Sequence, residues 1–161
     1  MPAMSGRWQR AVLGLLVWLL VCFGAGLFGS RFMPGEWYAQ LAKPSWTPPD
    51  WLFGPVWTGL YAMMAVAAWL VWKAHGVRKA ALPLVVFVVQ LVLNAAWTWL
   101  FFGLQRPVLA FLDITVMWIA ILVTLVLFWR RNPIAGALML PYLAWVTYAA
   151  SLNFALWRLN A

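Results

Sequence analysis

Residues 41–61 read LAKPSWTPPDWLFGPVWTGLY, and this stretch separates two long apolar segments of the chain. It contains four prolines and three tryptophans, an unusual density of rigid and bulky residues for one connection. Proline restricts its own backbone and holds the residue before it in extended conformations. The stretch therefore predicts a stiff connection between a first helix and the helices that follow.

The composition places the chain in a membrane. Of its 161 residues, 66% are hydrophobic and 9% are charged, whereas a soluble domain is roughly half apolar and a quarter charged. Only three residues are acidic, too few to cover a water-exposed surface. The apolar runs are continuous rather than alternating, which indicates spanning helices and not barrel strands. The composition thus excludes a water-soluble domain.

Five apolar segments are long enough to cross a bilayer, which takes about 20 helical residues. Short connections between the later segments force neighbouring helices to run antiparallel. The sequence therefore predicts an all-α integral membrane protein, with a Pro/Trp-rich lid loop at residues 29–50 between the first two helices of an up-down bundle of five. We expect one domain over residues 1–161, with spans at 8–28, 51–72, 80–102, 107–129 and 133–157.

The basic residues lie at the ends of the apolar segments, where they act as topology signals rather than as a nucleic-acid-binding surface. Seven share the side on which the first segment starts and four lie on the other, which favours a cytoplasmic N-terminus. The single cysteine, Cys22, excludes an internal disulfide, and the sequence predicts no metal site. The seven are Arg7, Arg10, Lys73, Arg78, Lys79, Arg130 and Arg131, and the four are Arg31, Lys43, Arg106 and Arg158.

The connection over residues 29–50 is longer than most connections in compact proteins. Its tryptophans and prolines predict a stiff lid packed on the mouth of the bundle. The alternative is an interfacial aromatic belt, which explains tryptophans at helix ends without requiring the prolines.

Polar and aromatic residues recur at helical spacing within three predicted spans, and polar groups in spans usually face the bundle interior. Three such faces could line one pocket. Alternatively, Gln90 and Asn94 are hydrogen-bond links between helices and the aromatic residues are core, and the spacing favours neither interpretation. The residues are Trp57 and Tyr61 in the second span, Gln90, Asn94, Trp97 and Thr98 in the third, and Pro141, Trp145, Tyr148, Ala149 and Leu152 in the fifth.

Asp113 is the only acidic residue well inside a predicted span, so it is a candidate functional residue. One hypothesis is a proton relay in a small transporter. The alternatives are that the carboxylate reaches the membrane interface or pairs with a basic residue such as Arg106. The transporter hypothesis is the weaker one, because a single acid and no internal repeat fit transporter design poorly.

Three stretches, WYAQLAKPSWTPPDWLFGPVWTGLY, QLVLNAAWTWLFFG and PYLAWVTYAASLNFALWRLN, resemble the tryptophan-rich sensory protein family, TspO/MBR, whose eukaryotic members are called translocator proteins. The likeness covers residues 29–160. It implies a five-helix protein, commonly dimeric, that binds protoporphyrin IX and related tetrapyrroles as ligands and requires no cofactor. Family members also bind isoquinoline carboxamide and benzodiazepine drugs. The resemblance favours a bacterial membrane, with the mitochondrial outer membrane as the alternative.

The resemblance also implies which residues meet the ligand. Trp57 and Trp145 match the tryptophans associated with the family's pocket and with porphyrin photochemistry. The favoured function is a receptor, sensor or carrier that holds a porphyrin unchanged; the alternatives are a light-dependent porphyrin-degrading enzyme using these two tryptophans and, less favoured, a transporter of sterols or small molecules. The full expected ligand-binding set is Tyr38, Pro48, Trp57, Tyr61, Gln90, Asn94, Trp97, Trp145, Ala149 and Leu152.

One departure concerns cholesterol, which the animal members bind. Their proposed motif combines a Leu or Val, a Tyr and a Lys or Arg, and the corresponding residues here are Leu152, Phe154 and Arg158. Phenylalanine lacks the hydroxyl that would bond a sterol, so we do not expect tight cholesterol binding.

Overall fold

Five long helices build the fold, as the sequence predicted. The computed structural model describes residues 2–161, with side chains from residue 6. Every regular element in that part of the chain is helical, and five helices are long and apolar enough to cross a membrane. This confirms the all-α membrane fold. The α-helices are α1 (Pro2–Gly29), α2 (Glu36–Gln40), α3 (Phe53–Lys79), α4 (Ala81–Thr98), α5 (Pro107–Arg131) and α6 (Pro133–Leu159).

Several helix ends differ from the predicted spans. Helix α1 begins at Pro2 and α3 continues to Lys79, because a helix can extend beyond the hydrocarbon where its backbone bonds are already satisfied internally. Gly76 adopts a φ of 70° within the last turns of α3, a conformation that glycine tolerates best. The third span ends in a π-helical turn, Trp99–Gly103, rather than as a regular helix.

The connection between the first two spans is not a continuous loop, which corrects the prediction for residues 29–50. Helix α2 occupies Glu36–Gln40, and a 3₁₀ turn at Asp50–Leu52 leads into α3. No proline falls between residues 35 and 43, so the backbone there is free to form a helical turn.

The spans pack around the bundle in the order α1, α3, α6, α5, α4, and α4 contacts α1 again. Helix α1 is the outermost, because only 11% of its apolar stretch is buried, against 33–39% for the other four. It still approaches α3 closely at Gly26, where a Cβ atom would lie 2.7 Å from the ring of Tyr61. The interior that the sequence predicted is therefore enclosed mainly by α3, α4, α5 and α6.

Candidate functional site

A chain of hydrogen bonds crosses the middle of the bundle and links α3, α4 and α6. The Tyr61 hydroxyl donates to Asn94 Oδ1 at 2.6 Å, and Asn94 Nδ2 donates to the Tyr142 hydroxyl at 3.2 Å. The Tyr142 hydroxyl in turn donates to Gln90 Oε1 at 2.7 Å. We call these four buried residues the polar core. In this structure Gln90 and Asn94 therefore act as hydrogen-bond links between helices, one of the two roles that their spacing left open.

Tyr142 is the central residue of the polar core, and sequence reasoning missed it. It is fully buried and bonds both amide side chains of α4. The sequence did contain a signal for Tyr142, because it lies three residues before Trp145 and seven before Ala149, on the same helix face. A buried tyrosine usually finds a partner for its hydroxyl, and the amides of Gln90 and Asn94 were available for that role.

Trp57 packs against the outer side of the polar core. Its ring stacks on Tyr61 with centroids 5.5 Å apart and meets the edge of Tyr142 at 6.2 Å. Trp57 is itself half-buried. The structure thus brings together Trp57, Tyr61, Gln90 and Asn94 from the expected set.

Trp145 lies one turn after Tyr142 on α6. Its ring is 6.0 Å from Phe53 and 5.5 Å from Tyr148, both measured between centroids. Its Nε1 atom is buried and has no acceptor among the described residues. Ala149 is buried one turn further along α6, and Leu152 follows, also buried.

Trp97 and Tyr38 belong to a second aromatic group at the end of the bundle that carries the connection over residues 30–52, which we call the loop end. Trp97 stacks on Phe101 at 5.5 Å and donates from Nε1 to Asn153 Oδ1 at 3.0 Å. Tyr38 packs edge-on against Phe102 at 5.5 Å. The ring contacts of these two residues are thus with Phe101 and Phe102, whereas those of Trp57 are with Tyr61 and Tyr142.

The hydroxyl of Tyr38 is buried and has no partner among the described residues. Burial, followed by the nearby Asp50 and Tyr148, raises the pKa of Tyr38 to about 12, so the phenol stays protonated at neutral pH. The ammonium of Lys43 lies 4.7 Å from the centre of the Tyr38 ring. Tyr38 thus offers a free donor next to a cation.

Two hydrogen-bonded contacts hold the connection against α6. The Tyr148 hydroxyl donates to the carbonyl of Trp46 at 2.6 Å. The amide of Asn160 exchanges two hydrogen bonds with the backbone of Ala42, at 2.9 and 3.0 Å. Pro48 lies in this segment and is half-buried. The connection is therefore anchored beside Trp145, although its action as a lid stays a prediction.

Asp113 is half-buried in α5, and its buried oxygen Oδ2 has no partner among the described residues. The pairing with Arg106 that the sequence left open is thus not made by this oxygen. Within the same part of the chain, no three His, Cys, Asp or Glu side chains come close enough to hold a metal ion. The proton-relay role of Asp113 stays a prediction.

Two grooves open outward from the bundle, and none of the expected ligand-binding residues lines either one. A groove of about 450 Å³ between α1 and α4 is walled by Ala25, Val92 and Trp99 among others. A second groove, of about 410 Å³, lies between α5 and α6 and is lined by Trp118, Ala150 and Phe154 among others. Both face the surroundings of the bundle rather than the polar core.

The spans and their antiparallel order define a multi-pass helical membrane protein. Residues 18–158 match the model of the TspO/MBR family, and the chain belongs to that family. It is 42% identical to protein CrtK of Rhodobacter capsulatus, over 89% of this chain and 91% of that one. It is also 42% identical to the tryptophan-rich protein TspO of Chlorobaculum tepidum, over 94% and 99%, and 41% identical to human translocator protein, over 98% and 94%. The resemblance drawn from the sequence motifs is thereby confirmed.

Proposed function

We propose that this membrane protein is a receptor, sensor or carrier that binds a porphyrin such as protoporphyrin IX at the loop end, between α3, α6 and the connection. The observation that carries the proposal is a pair of buried donors, the hydroxyl of Tyr38 and Nε1 of Trp145, that have no acceptor in the part of the chain that the structure describes. Buried polar groups in proteins are nearly always paired, so unpaired ones need a reason. A ligand with acceptor oxygens supplies one.

The chemistry of a porphyrin suits these side chains. Its flat apolar ring stacks favourably on aromatic faces, which Trp57 and Trp145 offer because both are only half-buried. Its two carboxylates accept hydrogen bonds, and Lys43 adds a cation beside Tyr38. An unpaired buried donor costs about 1–3 kcal/mol, so a ligand acceptor that pairs it contributes binding energy of similar size. No cofactor is needed for this role.

The test is a protoporphyrin IX titration of the detergent-purified protein, in the dark and under light. We expect saturable quenching of tryptophan fluorescence with an unchanged porphyrin absorption spectrum. Free N-acetyltryptophanamide at matched absorbance corrects for light absorbed by the porphyrin. Quenching that rises without saturation, as for free N-acetyltryptophanamide, would refute a specific site.

A light-dependent porphyrin-degrading enzyme is the second candidate. Both tryptophans contact a tyrosine, Trp57 with Tyr61 and Trp145 with Tyr148. Tryptophan and tyrosine are oxidisable side chains, so these contacts favour a light-driven oxidation. Under light, a new absorption band that disappears in Trp57→Phe while dark binding is retained would establish this function. Bleaching at equal rates in the variant and the wild type would reflect photosensitised oxidation by the porphyrin alone.

Other expected partners also stay proposals. A homodimer follows only from the family resemblance.

A transporter function would require Asp113, so porphyrin flux into proteoliposomes should fall in Asp113→Asn. Tight cholesterol binding remains unexpected, because Phe154 lacks the hydroxyl that would bond a sterol. Phe154→Tyr should therefore raise sterol binding relative to the wild type.

A further inference from the structure

The two ends of the bundle differ sharply in charge. The start of α1, the α3–α4 connection and the α5–α6 connection lie at the end opposite the loop end, which we call the basic end. Two of the three acidic residues, Glu36 and Asp50, lie in the connection at the loop end, and Asp113 lies about two turns into α5 from that same end. The described residues of the basic end therefore include no acid. Its seven exposed cations are Arg7, Arg10, Lys73, Arg78, Lys79, Arg130 and Arg131.

A hydrogen bond joins the two connections at the basic end. Nε2 of His75 lies 3.3 Å from the backbone carbonyl of Arg131, and the ring nitrogen must be the donor because a carbonyl only accepts. This bond draws the end of α3 onto the end of α5. The basic pairs that flank it, 78–79 and 130–131, therefore contribute to one surface.

Aromatic neighbours place these cations at the depth of lipid headgroups. Trp129 directly precedes Arg130 and is 45% exposed. Trp8 follows Arg7 and is also exposed, and the ammonium of Lys73 lies 4.6 Å from the centre of the Trp69 ring. Tryptophan is enriched at the membrane–water interface, so the basic side chains beside it reach phosphate groups rather than bulk water alone.

We propose that the basic end binds the phosphates of anionic lipids, with Arg78, Arg130 and Arg131 as the principal contacts. The role of these residues as topology signals needs only an excess of cations on one side, and it does not need the bond that brings the two connections together. The described residues at this end supply no carboxylate to balance them. Arginine is suited to this partner because its planar guanidinium pairs bidentately with phosphate.

The experiment counts lipids retained by the purified protein when phosphatidylglycerol and phosphatidylcholine of identical acyl chains are supplied in equal amounts. We expect the wild type to retain about tenfold more phosphatidylglycerol, and the triple variant Arg78→Gln, Arg130→Gln, Arg131→Gln to lose most of that preference. The matched control, Arg31→Gln, Arg106→Gln, Arg158→Gln, removes the same number of arginines from the loop end. It should keep the preference near the wild-type value.

Three outcomes would overturn the proposal. One is an unchanged preference in the basic-end variant, and another is an equal loss in both variants, which would reflect net charge alone. The third is stronger displacement of the lipid by inorganic phosphate than by chloride at equal ionic strength, which would assign the surface to soluble phosphate. Should the basic-end variant unfold, the variant with lysine at the same three positions retains the charge. The wild-type preference should also fall between about 0.05 and 0.5 M NaCl, because salt screens exposed charges.

Discussion

The polar core and the mouth of the site are built from the same kinds of side chain but satisfy them differently. We use "mouth" for Tyr38, Trp145, Tyr148 and Ala149 with the adjoining connection. In the polar core both phenols donate to side-chain acceptors, whereas the mouth holds two buried donors that find no acceptor within the described side chains and backbone. Since each unpaired donor lowers stability, the hydrogen bonds of the polar core hold the helices together, and the unpaired donors of the mouth support the proposal of a ligand site there.

The largest effect should come from filling the mouth. Ala149→Phe places a ring where a small, buried side chain now lies beside Trp145. Overpacking of this kind costs about 1–3 kcal/mol, so we expect porphyrin affinity to fall roughly fivefold to 150-fold. Saturable tryptophan quenching measures the change.

Ala150→Phe is the matched control for that substitution. Ala150 is the next residue of α6 but lines the outward groove between α5 and α6. Its affinity should stay within about twofold of the wild type, since the new ring faces away from the mouth. Equal losses in the two variants would remove the case for a ligand site at Ala149.

A change in the polar core should lower stability instead of affinity. Tyr142→Phe removes the donor to Gln90 Oε1 and the acceptor for Asn94 Nδ2. We expect the free energy of unfolding to fall by about 1–2 kcal/mol, measured by circular dichroism during titration with sodium dodecyl sulfate.

A double variant sharpens the interpretation of Tyr142. Adding Gln90→Leu to Tyr142→Phe removes both partners of the bond, so the second substitution should cost less than it does alone. Strict additivity would show that the two side chains are not coupled. If Tyr142→Phe lost much of its porphyrin affinity and kept its stability, the roles assigned to the polar core and the mouth would be reversed.

The sequence predicted the fold well because the decisive signal is local. A run of about 20 apolar residues must span the bilayer as a helix, whatever it packs against. Helix α2 was missed because the prolines around it dominate the local pattern, and they leave residues 36–40 unconstrained. The early start of α1 and the late end of α3 were missed because hydropathy marks the hydrocarbon boundary rather than the end of a helix.

The site was less predictable because its contacts are distant in the sequence. Spacing places Gln90 and Asn94 on one helix face, but Tyr142, which bonds both, is about 50 residues away in the chain. The same holds for Asn160, which anchors the connection through Ala42. Which donors remain unpaired is likewise a property of the packed bundle, so the special position of Trp145 could not be inferred from its neighbours in sequence.

Trp145 should show a smaller effect than Ala149. Trp145→Phe removes the unpaired Nε1 donor but keeps an aromatic ring at the mouth. Losing one hydrogen bond to a ligand acceptor should lower porphyrin affinity by about 1 kcal/mol, or roughly fivefold.

Trp118→Phe is the control for the indole nitrogen. Nε1 of Trp118 already donates to Thr147 Oγ1 at 2.8 Å, and its ring lines the outward groove. Its affinity for porphyrin should match that of the wild type. If Trp145→Phe also binds as the wild type does, its buried donor has no role in recognition and the contrast between polar core and mouth loses its main support.

The smallest effect should come from the anchoring of the connection, and it should appear in a rate rather than in an equilibrium. Tyr148→Phe removes the 2.6 Å bond to the Trp46 carbonyl but leaves the two rings in contact. A hydrogen bond of about 0.5–1 kcal/mol that holds the connection closed should raise the porphyrin dissociation rate by about twofold to fivefold, followed by stopped-flow fluorescence. Thr147→Val, on the outer side of α6, should leave the rate unchanged. A rate that is the same in Tyr148→Phe and the wild type would mean that ligand release does not pass the anchored connection. The segment would then act as a fixed wall of the mouth and not as a lid.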